Sequence, residues 1–172
     1  LDKLLKPKIP YGTILRRYMQ ATAQTDYTMA RPNRRFMPDL YLPTLHGEGL
    51  VDLMTGVDIS GSVSDSDFNQ FVSDTHTVMR QFKPKKIDFV QFDTKIQHHD
   101  VIRSLADLKK LKFHGRGGTD PTDLILLAQK LKPKVLMIYT DGYFGTEGLP
   151  VYKGNTLWLI HNNDSFVAPF GK

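Results

Sequence analysis

The stretch Leu50 to Ile59 is mostly apolar and runs into Asp58-Ile59-Ser60-Gly61-Ser62. A carboxylate and two hydroxyls fall at every second position, just where a buried strand should leave its sheet. A hydrophobic core has no use for small oxygen donors at that point. A hard divalent cation does, because Mg²⁺ and Ca²⁺ take oxygen ligands and accept neutral hydroxyls beside carboxylates. The rest of the chain therefore has to be read for segments that bring further oxygens to the same strand end.

From residue 50 onward, strand and helix patterns alternate. Leu50 to Asp58 reads as the first strand, with Asp52 and Thr55 interrupting it and leaving its start open. Ser64 to Phe82 reads as a helix, since Phe68, Phe71, Val72, Val78, Met79 and Phe82 recur at three- and four-residue spacing. Ser64 and Asp67 make a capping-box start, and Pro84 ends the helix. Ile87 to Phe92 is the second strand and Gln97 to Ile102 a third, at an edge. Ser104 and Asp107 cap a short helix to Leu111. The glycine-rich run His114-Gly-Arg-Gly-Gly-Thr119-Asp120 follows, and Pro121 then takes the first turn of another helix. Leu124, Leu127, Ala128 and Leu131 make that helix amphipathic. Val135 to Tyr139 is continuously apolar, as in the middle of a parallel sheet. Thr156 to Ile160 is a further strand. The alternation predicts an α/β domain over residues 48–172: an open, mostly parallel, Rossmann-like sheet with helices on both faces.

Residues 1–47 read as an irregular N-terminal arm or cap, broken by Pro7, Pro10, Pro32, Pro38 and Pro43. One short helix is expected from Thr13 to Ala21. In Arg31-Pro-Asn-Arg-Arg35-Phe36, arginine stands beside an aromatic ring. Such a stretch can grip phosphate or RNA, or fasten the arm to the domain through carboxylates and carbonyls.

Composition closes several routes. The absence of cysteine removes disulfides, thiolate metal sites and cysteine nucleophiles, and fits a cytoplasmic protein. No run of about 18 apolar residues is present to span a membrane, and no signal-peptide pattern opens the chain. It starts at Leu1 rather than Met, which reads as a fragment. The net charge of +5 permits an acidic protein or nucleic acid as partner. The lysines, however, are scattered as on an ordinary solvated surface.

Three loops carry the chemistry. The first holds Asp58, Ser60 and Ser62, the second Thr119, and the third Asp141 in Tyr139-Thr-Asp-Gly142. In open α/β sheets, ligands gather outside the carboxyl ends of the strands, so these loops are expected to meet at one rim. Alone, each is weak, because an aspartate at a strand end is commonly a turn or cap residue. Together they resemble the von Willebrand factor A-like (VWA-like) family and its metal-ion-dependent adhesion site, whose pattern is Asp-x-Ser-x-Ser, a distant threonine and a distant aspartate. A narrower resemblance rests on Arg31-Pro-Asn-Arg-Arg35, Tyr41-Leu-Pro43, Phe92-Asp93 and Pro169-Phe-Gly171. It points to bacterial and phage proteins of uncharacterised function, in which a C-terminal VWA-like domain follows a metallopeptidase-like region. On that resemblance an upstream region and a last strand after Gly171 are expected.

The resemblance implies roles for the five positions. Ser60 and Ser62 ligate the ion directly, and Thr119 does so directly or through water. Asp58 and Asp141 act mostly through bound water. Mg²⁺ is the expected cofactor, with Mn²⁺ or Ca²⁺ as alternatives, and an acidic residue of a partner protein completes the shell. An AAA+ ATPase of the MoxR type, or its client, is the partner the resemblance suggests. Asp93, His114 and Asp120 are candidates for supporting or partner contacts. Asp120 reads better as the cap of the helix opened by Pro121, Asp93 as a turn residue and His114 as a solvated loop residue.

Other chemistries fit less well. The zinc-protease motif His-Glu-x-x-His is absent from this chain. Gly56 to Gly61 has the glycine spacing of a phosphate loop, but Ser62 stands where its lysine belongs. Ser60 and Ser62 have no sequence-evident histidine base. Asp58 at a strand end also suits the nucleophile of a metal-dependent phosphoester hydrolase, yet the second acid usual two residues on is Ser60. The reading is therefore a non-catalytic, metal-dependent protein-binding module. A nucleic-acid-binding module using the basic arm is the main alternative.

Overall fold

A computed structural model describes residues 27–32, 43–45, 52–113, 117–161 and 163–172. The chain divides into two compact units, Leu1–Glu48 and Gly49–Lys172. In the first, β1 (Tyr27–Pro32) pairs antiparallel with β2 (Pro43–Leu45). This ribbon was not expected. The proline breaks indicate irregular chain, yet Pro32 and Pro43 stand at strand ends, where a missing N–H is tolerated. The expected helix from Thr13 to Ala21 and the stretch from Asn33 to Phe36 lie outside the described residues.

The second unit is built on a five-stranded sheet of order β5-β4-β3-β6-β7. Its strands are β3 (Leu53–Asp58), β4 (Ile87–Phe92), β5 (Ile96–Ile102), β6 (Val135–Thr140) and β7 (Asn155–Ile160). β3 is central and pairs in parallel with β4 and β6, β6 pairs in parallel with β7, and only the edge strand β5 is antiparallel. The sheet is mostly parallel, and β5 lies at an edge as the sequence indicates.

Helices cover both faces. α1 (Asp65–Phe82) opens on the expected capping box: the Ser64 hydroxyl accepts from the Asp67 N–H, and the Asp67 carboxylate accepts from the Ser64 N–H. It closes with Lys83 in a left-handed conformation, just before Pro84. Its apolar stripe lies on one face of the sheet, with Phe68 edge-on to Phe89 and Phe71 against Tyr139. α2 (Leu105–Leu108) is shorter than the sequence suggested, but keeps the Ser104–Asp107 capping box. α3 (Thr122–Leu131) lies on the opposite face, its Leu124, Ile125 and Ala128 clustering with Met54, Val90, Leu136, Ile138 and Trp158. Leu131, expected in that apolar stripe, is exposed, and Ile125 is buried instead. Leu131 is the last residue of the helix, where the chain turns away through a left-handed Lys132.

The helix–sheet packing on the α3 side is closest at Gly56. A Cβ there would stand 2.3 Å from the Leu124 Cδ2, so any larger residue would force the Leu124 side chain to shift. On the outer side of β7, Lys172 makes the bonds of a parallel bridge, its N–H to the Thr156 carbonyl and the Trp158 N–H to its own carbonyl. Among the described residues, no helix is long and apolar enough to cross a membrane.

Candidate metal centre

β3 ends at Asp58, which is fully buried. Its carboxylate is shared between two loops. Oδ1 accepts from the Ser60 N–H at 2.8 Å, curling the chain back on itself. Oδ2 accepts from the Thr140 hydroxyl at 2.6 Å, tying the end of β3 to the end of β6. The Ser60 and Ser62 hydroxyls stand 3.1 Å apart. Ser60 is buried and Ser62 exposed, so this pair runs from the sheet end out to the surface.

β6 delivers the third loop. Thr140 also accepts from the Gly142 N–H at 3.0 Å, and one Asp141 oxygen, Oδ1, accepts from the Tyr143 N–H at 3.2 Å. Gly142 has φ +71°, and a Cβ on it would collide with the Phe166 ring. The segment after β7 is fastened over this loop, with the Asn163 amide donating to the Asp141 carbonyl at 3.0 Å. Asp141 is buried, and its Oδ2 has no hydrogen-bond partner among the described residues.

The electrostatics follow from this burial. Desolvation pushes the Asp58 carboxyl above its ordinary range. Hydrogen bonds from Thr140 and Ser60 pull it back in part, and the charge of Asp141 pushes it up further. The two carboxylates are therefore close enough to repel one another.

Thr119 does not follow a strand. It lies between α2 and α3, on a segment pinned at two points: the Gly61 N–H donates to the Gly117 carbonyl at 3.0 Å, and the Asp120 N–H donates to the Asp93 carbonyl at 2.7 Å. Thr119 is half-buried between these anchors. Asp120 behaves as a cap, its Oδ1 accepting from the Thr122 N–H at 2.9 Å where α3 begins. Asp93 follows β4 directly and is buried. Burial alone would raise its carboxyl, but bonds from the Gln97 side chain and the Lys95 N–H outweigh it and hold the group below the usual carboxylate range. His114 lies outside the described residues.

Among the described residues, no three His, Asp or Glu side chains converge. The oxygens that the bonds tie together are two carboxylates, Asp58 and Asp141, and the hydroxyls of Ser60, Ser62 and Thr140, chemistry that suits a hard cation and not zinc. Asp141 Oδ2, which lacks a partner among the described residues, is of the kind such an ion engages. Sequence reading missed Thr140, which joins the two carboxylate loops, and Asn163, which holds the third. Thr140 sits inside the quoted run Tyr139-Thr-Asp-Gly142, so its position was visible, but its bond to Asp58 spans 82 residues.

An open, mostly parallel sheet with helices on both faces and oxygen donors gathered where β3 and β6 end defines a VWA-like α/β domain. The model of the VWA-like domain family (DUF2201) matches residues 53–172, and the chain belongs to that family. It is also similar to an uncharacterized protein of Thermotoga maritima, 27% identical over 169 residues. That match takes in 95% of this chain, so it reaches well ahead of residue 53 into the first unit. The chain spans only 41% of the length of that relative.

Proposed function

We propose that this VWA-like domain is a non-catalytic module that binds an acidic side chain of a partner protein through a divalent cation. Ser60 and Ser62 hold the ion directly, Thr119 directly or through water, and Asp58 and Asp141 mostly through water. Mg²⁺ is the expected ion, with Mn²⁺ or Ca²⁺ able to replace it. When bound, such an ion supplies Lewis acidity and an open coordination position for a partner's aspartate or glutamate. The domain then works as one part of a larger cytoplasmic protein, and an AAA+ ATPase of the MoxR type is the first partner to try.

The observation that carries this reading is Asp141 Oδ2, buried near the Asp58 carboxylate and without a hydrogen-bond partner among the described residues. A buried carboxylate oxygen without a partner is costly. An oxygen-seeking cation offsets that cost.

The test is a thermal-shift titration of the full chain with MgCl₂ and MnCl₂. At about 100-fold excess over Kd, a single site stabilises by about 2.7 kcal/mol, a rise of several degrees in Tm. Asp58→Ala abolishes the shift while circular dichroism stays native. Equal stabilisation of variant and wild type would remove Asp58 from the site, and no shift in the wild type would remove the site itself.

Nucleic-acid binding is the second reading, and one feature favours it. Leu1–Glu48 carries eight basic residues against four acidic ones.

A further inference from the structure

We infer that Asp93 is the latch that holds the threonine segment in register with the serine loop. The inference rests on the proposed metal site and assigns Asp93 a positioning role, not a ligand's role. Five contacts carry it. The Asp93 backbone carbonyl takes the Asp120 N–H at 2.7 Å, fixing one end of the segment. The Asp93 side chain stands against the other end: a Cβ on Gly117 would lie 2.7 Å from Oδ2 and 3.0 Å from Cγ. The carboxylate has little room to swing aside, because Oδ1 is held by the Gln97 amide at 2.8 Å and the Lys95 N–H at 3.1 Å. Gly117 in turn takes the Gly61 N–H on its carbonyl, between Ser60 and Ser62.

A continuous path therefore runs from the end of β4 through Asp93 and Gly117 to the backbone of the serine loop. Thr119 lies between the two fixed points. Glycine at 117 permits the close approach, and a buried, firmly bonded side chain at 93 sets its depth. The Asp93 side chain acts here through its shape and its accepted bonds. Its charge is secondary, so asparagine, whose Oδ1 accepts the same two bonds, fills the role.

The test compares Asp93→Ala, Asp93→Asn and Gly117→Ala in the full chain, by Mn²⁺ calorimetry and by amide hydrogen exchange without metal. The expected result is a tenfold or greater loss of Mn²⁺ affinity in Asp93→Ala and Gly117→Ala, and less than threefold in Asp93→Asn. The Asp120 and Gly61 amides exchange faster in the two weakened variants and at the wild-type rate in Asp93→Asn. An equal loss in Asp93→Asn and Asp93→Ala would overturn the latch, because it would make the charge the active property. Unchanged exchange at both amides in Asp93→Ala and Gly117→Ala would overturn it too. If the wild type takes up no Mn²⁺, the metal reading fails, and the exchange rates alone decide whether Asp93 holds the segment. Should Asp93→Ala fail to fold, Gly117→Ala and Asp93→Asn still decide both points.

Discussion

At the scale of single residues, the burial of Asp58 has a consequence for stability. Its carboxyl is raised chiefly by desolvation, against the hydrogen bonds that lower it. A carboxyl whose folded pKa lies above its unfolded one makes the folded state lose stability as pH rises through the folded value. In EDTA, the wild type is therefore favoured at acid pH and penalised above that value. Asp58→Asn keeps an acceptor for the Ser60 N–H and carries no charge. It should be the more stable protein in EDTA at neutral pH, and the gap should close on acidification. Denaturant midpoints from about pH 4 to pH 8 measure this. A gap that widens toward acid would mean that the Asp58 carboxylate is stabilised by its surroundings. Added Mg²⁺ should reverse the order, because ligand binding favours the charged wild type.

At the scale of elements, α3 and β3 meet through the Gly56–Leu124 contact. Gly56→Ala drives a methyl into Leu124 and should cost about 1–3 kcal/mol by overpacking. Leu124→Ala should cost about 2–5 kcal/mol by opening a cavity. Together the two should cost at least about 1 kcal/mol less than their sum, since the added methyl enters the space the leucine leaves. Additivity in urea denaturation would show that the helix is not seated on Gly56. This contact also marks what the sequence does and does not reveal. The strands, α1 with its Ser64–Asp67 box and the loops bearing Asp58, Ser60, Ser62 and Asp141 are legible because each depends on neighbours a few residues away. Gly56 against Leu124, Thr140 on Asp58 and Gly117 against Asp93 are not, because each joins residues far apart in the chain. Leu131 lies outside the core for a related reason: helical spacing marks a face and does not tell where the covered length of that face ends.

At the scale of the whole molecule, charge and site belong to different units. The Gly49–Lys172 unit has fifteen basic and fourteen acidic residues, close to balance. The surplus of the chain therefore lies mainly in Leu1–Glu48 and is less evenly scattered than its lysines suggest. The two functional readings then make opposite demands on the full chain. Capture of a carboxylate-bearing partner should be lost in EDTA, restored by Mg²⁺ or Mn²⁺, and abolished by Asp58→Ala. Binding to a single-stranded RNA should survive EDTA, weaken steeply with salt as counterions return to the phosphates, and fall in a variant with Arg31, Arg34 and Arg35 changed to glutamate. The expected outcome is strong metal dependence with an AAA+ ATPase as bait, and at most weak, salt-sensitive RNA binding that ignores Asp58→Ala. Tight RNA binding at about 150 mM salt together with metal-independent capture of the ATPase would move the function from the rim of the sheet to the basic unit.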